Sequence, residues 1–265
     1  MTTILQISDT HIVPEGALVS GRLETAAPFR RLVQRITDIR DQIGVVDAVL
    51  ISGDVSDDGS DESYQLFKEI LAPLDLPFYV IPGNHDAREP MRAAFSGDGY
   101  LPETGKLNWH QKIGDIHLIG LDTLIEGEKD GMMDAPTLAY LVHTLTSIGH
   151  EPVLLALHHP PFKTGIRFMD DIGFKNSVEL LRVLSGFGGE LRIVCGHIHC
   201  MMTVSLGGHI AISAPSPSSN FALDTRPNAP VGFMDMEDGC LLHKWDGGFQ
   251  TVRIGPESGA GPFPF

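Results

Sequence analysis

Five short apolar runs of β-forming residues each break into a polar cluster rich in metal-ligating types, and this repetition limits the folds open to the chain. Ile4–Ser8 runs into Asp9-Thr10-His11, Asp47–Ser52 into Gly53-Asp54, and Phe78–Ile81 into Pro82-Gly83-Asn84-His85-Asp86. Val153–Leu157 delivers His158-His159-Pro160-Pro161, and Leu191–Val194 delivers Cys195-Gly196-His197-Ile198-His199. Apolar runs of this length, with little polar alternation, predict strands buried on both faces. Open α/β sheets place their sites where such strands end, at the carboxyl edge. Gly196 marks a strand end where the backbone turns sharply, so that both following imidazoles can serve one site.

Helical patterns separate the strands. Thr25–Ile43 carries Phe29, Leu32, Val33, Ile36 and Ile39 at helical spacing, with Gly44 as a stop. Asp61–Leu71 predicts a second helix, Ala135–Ile148 a third with Pro136 at its first turn, and Ser177–Leu184 a fourth. Leu107–Ile113 and Ile116–Leu121 meet at Gly114-Asp115, a hairpin signal. After Thr203 the pattern changes. Val204–Leu206, Ile210–Ser213, Gly232–Met236, Cys240–Trp245 and Phe249–Ile254 alternate with Gly turns and predict antiparallel β structure that completes a second sheet.

The 265 residues suit one large α/β domain over 1–254, its β-rich part 203–254 serving as a cap or a dimer contact, with 255–265 as a surface tail. An apolar share of 42% is enough to bury a substantial core. The net charge of −15, from 19 basic and 34 acidic residues, argues against a nucleic-acid polymer as partner. Solubility accounts for most of that acidity, and a carboxylate-built metal site for part of it. No apolar run approaches the roughly 20 residues of a membrane span. The N-terminal stretch lacks a basic signal region, and the three cysteines lack zinc-finger spacing, so the expectation is a reduced, cytosolic (cytoplasmic) protein.

The strand ends together present Asp9, His11, Asp54, Asn84, His85, His158, His197 and His199. Oxygen and imidazole donors without thiolate suit divalent Zn, Mn, Fe or Co. They are too many for one tetrahedral ion. Two ions sharing a carboxylate, about 3.5–4 Å apart, form the clamp used for in-line displacement at phosphorus. Taken singly, Asp9 and Asp54 read better as turn or cap residues and His158 as a satisfied polar residue; taken together, the set points to a metal centre.

In this order, Asp-x-His, Gly-Asp, Gly-Asn-His-Asp, His and Gly-His-x-His resemble the calcineurin-like metallophosphoesterases from Ile4 to about Val252. Within that family Ile7-Ser8-Asp9-Thr10-His11, Ile81-Pro82-Gly83-Asn84-His85-Asp86 and His158-His159-Pro160-Pro161 look most like bacterial class III cyclic nucleotide phosphodiesterases and their glycerophosphodiesterase relatives. The resemblance implies a four-layer α/β/β/α sandwich of two sheets flanked by helices. It places Asp9, His11 and His199 on a first metal, Asn84, His158 and His197 on a second, and Asp54 between them. A hydroxide held by both ions would attack phosphorus, and His85 would contact the phosphate or protonate the leaving group. Asp86 orients His85 or caps the next helix, and the structural role is preferred.

The loops 12–24, 122–134, 161–173 and 214–224 should set specificity. Where relatives carry a His-Gln pair that reaches the substrate, this chain has Ser219-Asn220, which leaves the choice between cyclic nucleotides and glycerophosphodiesters open. The leading expectation is a phosphodiesterase of small diesters. A phosphomonoesterase or nucleotidase on the same site is the alternative, and a non-catalytic metal-binding scaffold the third, although no expected ligand is missing. The resemblance also implies a homo-oligomer, a dimer or higher, built through the tail. His159 reads as a supporting residue, and His110, His117, His143, His150, His209 and His243 receive no chemistry. Cys195 and Cys200 read as small buried residues, and Phe233 and Trp245 as core.

Overall fold

The apolar runs gather into two sheets packed face to face, as seen in a computed structural model that describes residues 1–257 together with Gly259 and Phe263. The first half of the chain forms β1 (Thr2–Ile7), α1 (Ala26–Asp38), α2 (Arg40–Ile43), β2 (Ala48–Ile51), α3 (Asp61–Leu71), β3 (Phe78–Val80), α4 (Arg88–Phe95), β4 (Trp109–Ile113) and β5 (Ile116–Leu121). Then follow β6 (Gly131–Met132), α5 (Ala135–Ile148), β7 (Val153–Leu157), α6 (Arg167–Asp171), β8 (Phe174–Lys175), α7 (Ser177–Ser185) and β9 (Leu191–Cys195). The last part supplies β10 (Thr203–Leu206), β11 (His209–Ser213), β12 (Ser219–Asn220), β13 (Met234–Asp235), β14 (Cys240–Trp245) and β15 (Phe249–Ile254).

Sheet one has the order β15-β14-β1-β2-β3, with β1, β2 and β3 parallel, β14 antiparallel to β1, and β15 antiparallel to β14. Sheet two has the order β10-β11-β9-β7-β5-β4, with β5, β7, β9 and β11 parallel and an antiparallel strand at each edge. Alternation along the strands sorts the core into three layers. Leu5, Ile7, Val49 and Ile51 face outward onto Phe29, Leu32, Tyr64, Phe67, Met91 and Phe95 of α1, α3 and α4. Leu155, Leu157 and Ile193 face outward onto Leu141 and Leu145 of α5 and Leu180 and Leu184 of α7. Between the sheets lie Ile4, Ala48, Leu50, Leu118, Leu154, Ala156 and Val194. The four-layer α/β/β/α sandwich is therefore present, and all five strands that carry the expected ligands end at one edge of it.

The tail departs from the expectation of a purely antiparallel completion of sheet two. Its strands divide between the sheets: β10 and β11 extend sheet two, while β14 and β15 extend sheet one. β11 lies parallel to β9 because the chain passes out to β10 first and returns through the Gly207-Gly208 turn. The run 232–236 contracts to Met234–Asp235, paired with Ser219–Asn220 in a small sheet of its own. The expected surface tail over 255–265 falls largely outside the described residues. Among the described residues no helix is long and apolar enough to cross a membrane.

Candidate metal centre

The turns at the carboxyl edge bring the sequence-predicted ligands together from both sheets. Ligand atoms of Asp9, His11 and His199 lie within 4.8 Å of one another, as do those of Asp9, Asp54 and His158, and those of His158, His159 and His197. Asp54 Oδ2 stands 3.6 Å from His11 Nε2 and 3.2 Å from His158 Nε2, so a single carboxylate oxygen faces both halves of the cluster. His197 and His199, two residues apart, fall into different groups.

Close backbone approach makes this possible. A Cβ on Gly196 would overlap Ser8 Oγ and come within 2.6 Å of Asp9 Oδ2. Asp9 then accepts the His197 N–H at 2.9 Å, which ties β1 of one sheet to the turn after β9 of the other. The sharp turning expected of Gly196 belongs instead to His197 and His199, with φ of 70° and 52°. Gly83 has the same reason for being small: a Cβ there would overlap the Asp54 carboxylate and backbone.

Each of four imidazoles has one nitrogen committed to a fixed partner, which leaves the other free to face the cluster. His158 Nδ1 donates to the Ser52 carbonyl at 2.8 Å, and His197 Nε2 to the Ile172 carbonyl at 3.1 Å. His11 Nδ1 lies 2.9 Å from Asp57 Oδ1, and His199 Nδ1 lies 2.8 Å from Ser219 Oγ. His11 Nε2 and His199 Nε2 consequently face each other at 3.1 Å. His158 Nε2 and Asn84 Oδ1 are buried with no hydrogen-bond partner. Buried acceptors without donors are costly, and a cation among them satisfies all of them at once. The donor set fits divalent metal.

The electrostatics sort the cluster by charge. Burial pushes Asp9 up to about 6, with His158 pulling down and Asp54 pushing up. Burial opposes the charge on Asp54 too, yet His158, His85 and His11 hold it well below the ordinary carboxylate range. Burial drives His197 down to about 3 and His199 well below its ordinary value. Burial works against charge on His158 too, but Asp54 and Asp9 outweigh it and lift that ring to about 9. The neutral rings of His197 and His199 can offer a lone pair to a cation, whereas His158 must give up its proton to do so.

His85 sits at the rim, its side chain 40% exposed. Burial works against its charge, but Asp54 and Asp57 outweigh it and lift the ring to about 10. Its Nδ1 lies 3.1 Å from Asp57 Oδ1. Asp57, passed over in the sequence, thus holds both His11 and His85; its neighbourhood, Asp57-Asp58-Gly59-Ser60, reads only as turn composition. Asp86 neither orients His85 nor caps α4, whose N-cap, Ala87, makes no side-chain bond. It accepts from the backbone of Gly83, Val55 and Ser56 and from Tyr64 Oη, pinning two ligand loops together.

A cleft of about 490 Å³ opens over the cluster and receives residues from all four loops expected around it. Val19, Leu23, Phe168, Ile172, Phe221 and Phe233 line it, with Lys129 as the lysine at its rim. Phe233 is half-buried in this wall, against the expectation of a core residue, because β12 and β13 carry its segment over the cleft. Trp245 packs on Phe249 beside the inter-sheet layer. Of the pair expected to reach substrate, Ser219 lines the cleft but spends its hydroxyl on His199. Asn220 is 8% exposed and donates to Asp238, away from the cluster. His159 is wholly buried beside His197, with Nδ1 on Thr123 Oγ1 at 2.8 Å.

The model of the calcineurin-like phosphoesterase family matches residues 2–201. The chain belongs to that family. It is 34% identical to a probable glycerophosphodiester phosphodiesterase of Arcobacter nitrofigilis over 99% of this chain and 96% of the relative. It is also 32% identical to a 3',5'-cyclic adenosine monophosphate phosphodiesterase of Pseudomonas aeruginosa, over 83% of this chain and 77% of that one. A dimetal phosphatase from Danio rerio shares the fold at a TM-score of 0.65 and 15% identity, over 95% of this chain and 98% of that structure.

Proposed function

We propose that the chain hydrolyses small phosphodiesters, such as cyclic nucleotides or glycerophosphodiesters, at two divalent ions. Asp9, His11 and His199 would hold one ion, and Asn84, His158 and His197 the other, with Asp54 shared. The observation that carries this reading is the position of Asp54 Oδ2, in reach of His11 Nε2 and His158 Nε2 alike. When bound, the ions supply charge for the phosphoryl oxygens and acidify a water as nucleophile. The protein's own groups do the rest. His85, held in its charged form by Asp54 and Asp57, stands where it can bind a phosphoryl oxygen or give a proton to the leaving oxygen. The Phe168, Phe221 and Phe233 wall gives one ester arm an apolar surface and excludes water from that side.

Purified protein supplied with Mn is expected to hydrolyse a chromogenic aryl diester and to lose about a hundred- to thousandfold in rate on Asp54→Ala or His197→Ala, the scale of removing one preorganised electrostatic contact. Activity surviving both substitutions would sink the proposal. A panel of cyclic nucleotides, glycerophosphodiesters and the matching monoesters then ranks the substrates, and faster monoester turnover would make the chain a phosphomonoesterase instead.

A further inference from the structure

Below the ligand turns, a thread of polar side chains crosses the largely apolar layer between the sheets. Gln6, on β1, is wholly buried and points into that layer beside Ile4. Its Nε2 donates to Ser52 Oγ at 2.8 Å and to the Cys195 carbonyl at 3.0 Å. Its Oε1 lies 2.9 Å from Nε2 of His243, itself 1% exposed. His243 Nδ1 reaches Thr251 Oγ1 at 2.9 Å, and Arg192 Nη1 donates to the same hydroxyl at 3.0 Å. The orientation of the amide follows from the carbonyl of Cys195, which can only accept, so Oε1 must face His243 and His243 must carry its proton on Nε2. Every donor and acceptor of the Gln6 side chain is engaged.

The two groups that receive Nε2 are placed alike. Ser52 is two residues before Asp54, and Cys195 is two residues before His197. Ser52 also accepts from His158 Nδ1 through its carbonyl, and the Gly196 N–H donates to the His158 carbonyl at 2.9 Å. One amide therefore stands at the foot of the turns that carry Asp54, His158 and His197. Ser52 belongs to sheet one and Cys195 to sheet two, so the bond pair spans the sandwich. We infer that Gln6, held in orientation by His243, is a positioning residue that sets the distance between the ligands contributed by the two sheets. Apolar packing between the sheets is non-directional, whereas a doubly donating amide adds directional bonds that favour one separation and register.

This inference rests on the two-ion reading, and the test separates them. Gln6→Leu and the double variant Gln6→Leu/His243→Leu, which removes both partners and leaves no imidazole N–H stranded, are compared with the unaltered chain after loading with Mn. Binding is read by calorimetry and elemental analysis, the Mn–Mn coupling by electron paramagnetic resonance, and turnover on the aryl diester as kcat and KM separately. Expected for both variants is ten- to hundredfold weaker binding of one of the two Mn ions, the usual effect of losing a residue that orients ligands. The coupled multiline spectrum should give way to that of isolated Mn, with kcat falling and KM unchanged, while the double variant still unfolds cooperatively. Variants that bind two Mn ions with unaltered affinity and coupling overturn the inference and leave the two-ion reading intact. An unaltered chain that binds fewer than two overturns that reading and the inference with it.

Discussion

Asp9, His11, Asp54, His197 and His199 all hold φ between 44° and 70°, a region that L-residues with a Cβ enter at a cost of about 1–2 kcal/mol each. The conformations persist because surrounding bonds over-determine them: Asp9 N–H donates to the Gly53 carbonyl, His11 N–H to that of Asp54, and His197 N–H to the Asp9 carboxylate. The candidate donors were legible in the sequence, since Asp, Asn and His cluster where apolar runs stop. Their strained backbones were not, because each is imposed by a strand distant in sequence. Asp57 was hidden for the same reason: nothing local tells which rings a turn carboxylate will meet. Asp57→Asn keeps the shape but weakens the hold on His11 and His85 together. Calorimetry and steady-state kinetics should then show a ten- to hundredfold loss of metal affinity or kcat. Gly196→Ala tests the close approach. Its methyl has no space beside Ser8 and Asp9, so urea unfolding should show a loss of about 1–3 kcal/mol and metal titration a weakened site. A variant as stable and as tightly loaded as the parent would mean the turn yields freely.

Elements with strong periodicity were readable nearly to the residue. Asp61–Leu71, Ala135–Ile148 and Val153–Leu157 coincide with α3, α5 and β7, and Gly114-Asp115 does join an antiparallel pair. The missed elements are short or packed by context. α4 follows directly on the Asn84-His85-Asp86 turn and shows only Met91 and Phe95 as its apolar signal, while α6 spans five residues of what reads as loop. How α4 is fastened also depends on tertiary structure. Asp122, fully buried at the end of β5, accepts Arg88 Nε at 2.7 Å and Nη2 at 3.1 Å, the Leu107 N–H at 2.9 Å and the Leu124 N–H at 3.0 Å. It joins the start of α4, which packs on sheet one, to a strand of sheet two. Asp122→Ala removes the fork that holds the largely buried Arg88, leaving it the Glu126 carboxylate at 3.4 Å and the Leu124 carbonyl, and should cost about 1–3 kcal/mol in chemical unfolding. A loss under about 1 kcal/mol would show that Arg88 simply turns out to solvent.

Across the whole molecule, the two sheets are joined by apolar packing and by buried polar ties, the His243 thread among them. The sequence marked His243 only as a histidine without chemistry; its burial depends on β14 pairing with β1, which no local pattern announces. Burial, with the charge of Arg192 adding to it, drives His243 from 6.5 down to about 3. Gln6 and Thr251 face its two nitrogens, and neither carries a charge. The sign of the consequence is fixed by linkage. Above pH 6.5 the ring is neutral folded or unfolded and contributes no slope. Below 6.5 the unfolded chain takes a proton that the folded chain refuses, so stability falls with pH by about 1.4 kcal/mol per unit until the folded ring also protonates near 3. His197, depressed to about 3 as well, adds a slope of the same sign in the metal-free chain, so the comparison must be between variants. Urea unfolding of chelator-treated protein between pH 6 and 4 should therefore show a shallower pH dependence for Gln6→Leu/His243→Leu than for the parent, by one proton's worth, with the two slopes merging above 6.5. Parallel curves across that window would mean that the ring takes up its proton inside the fold, and that the thread between the sheets opens to water.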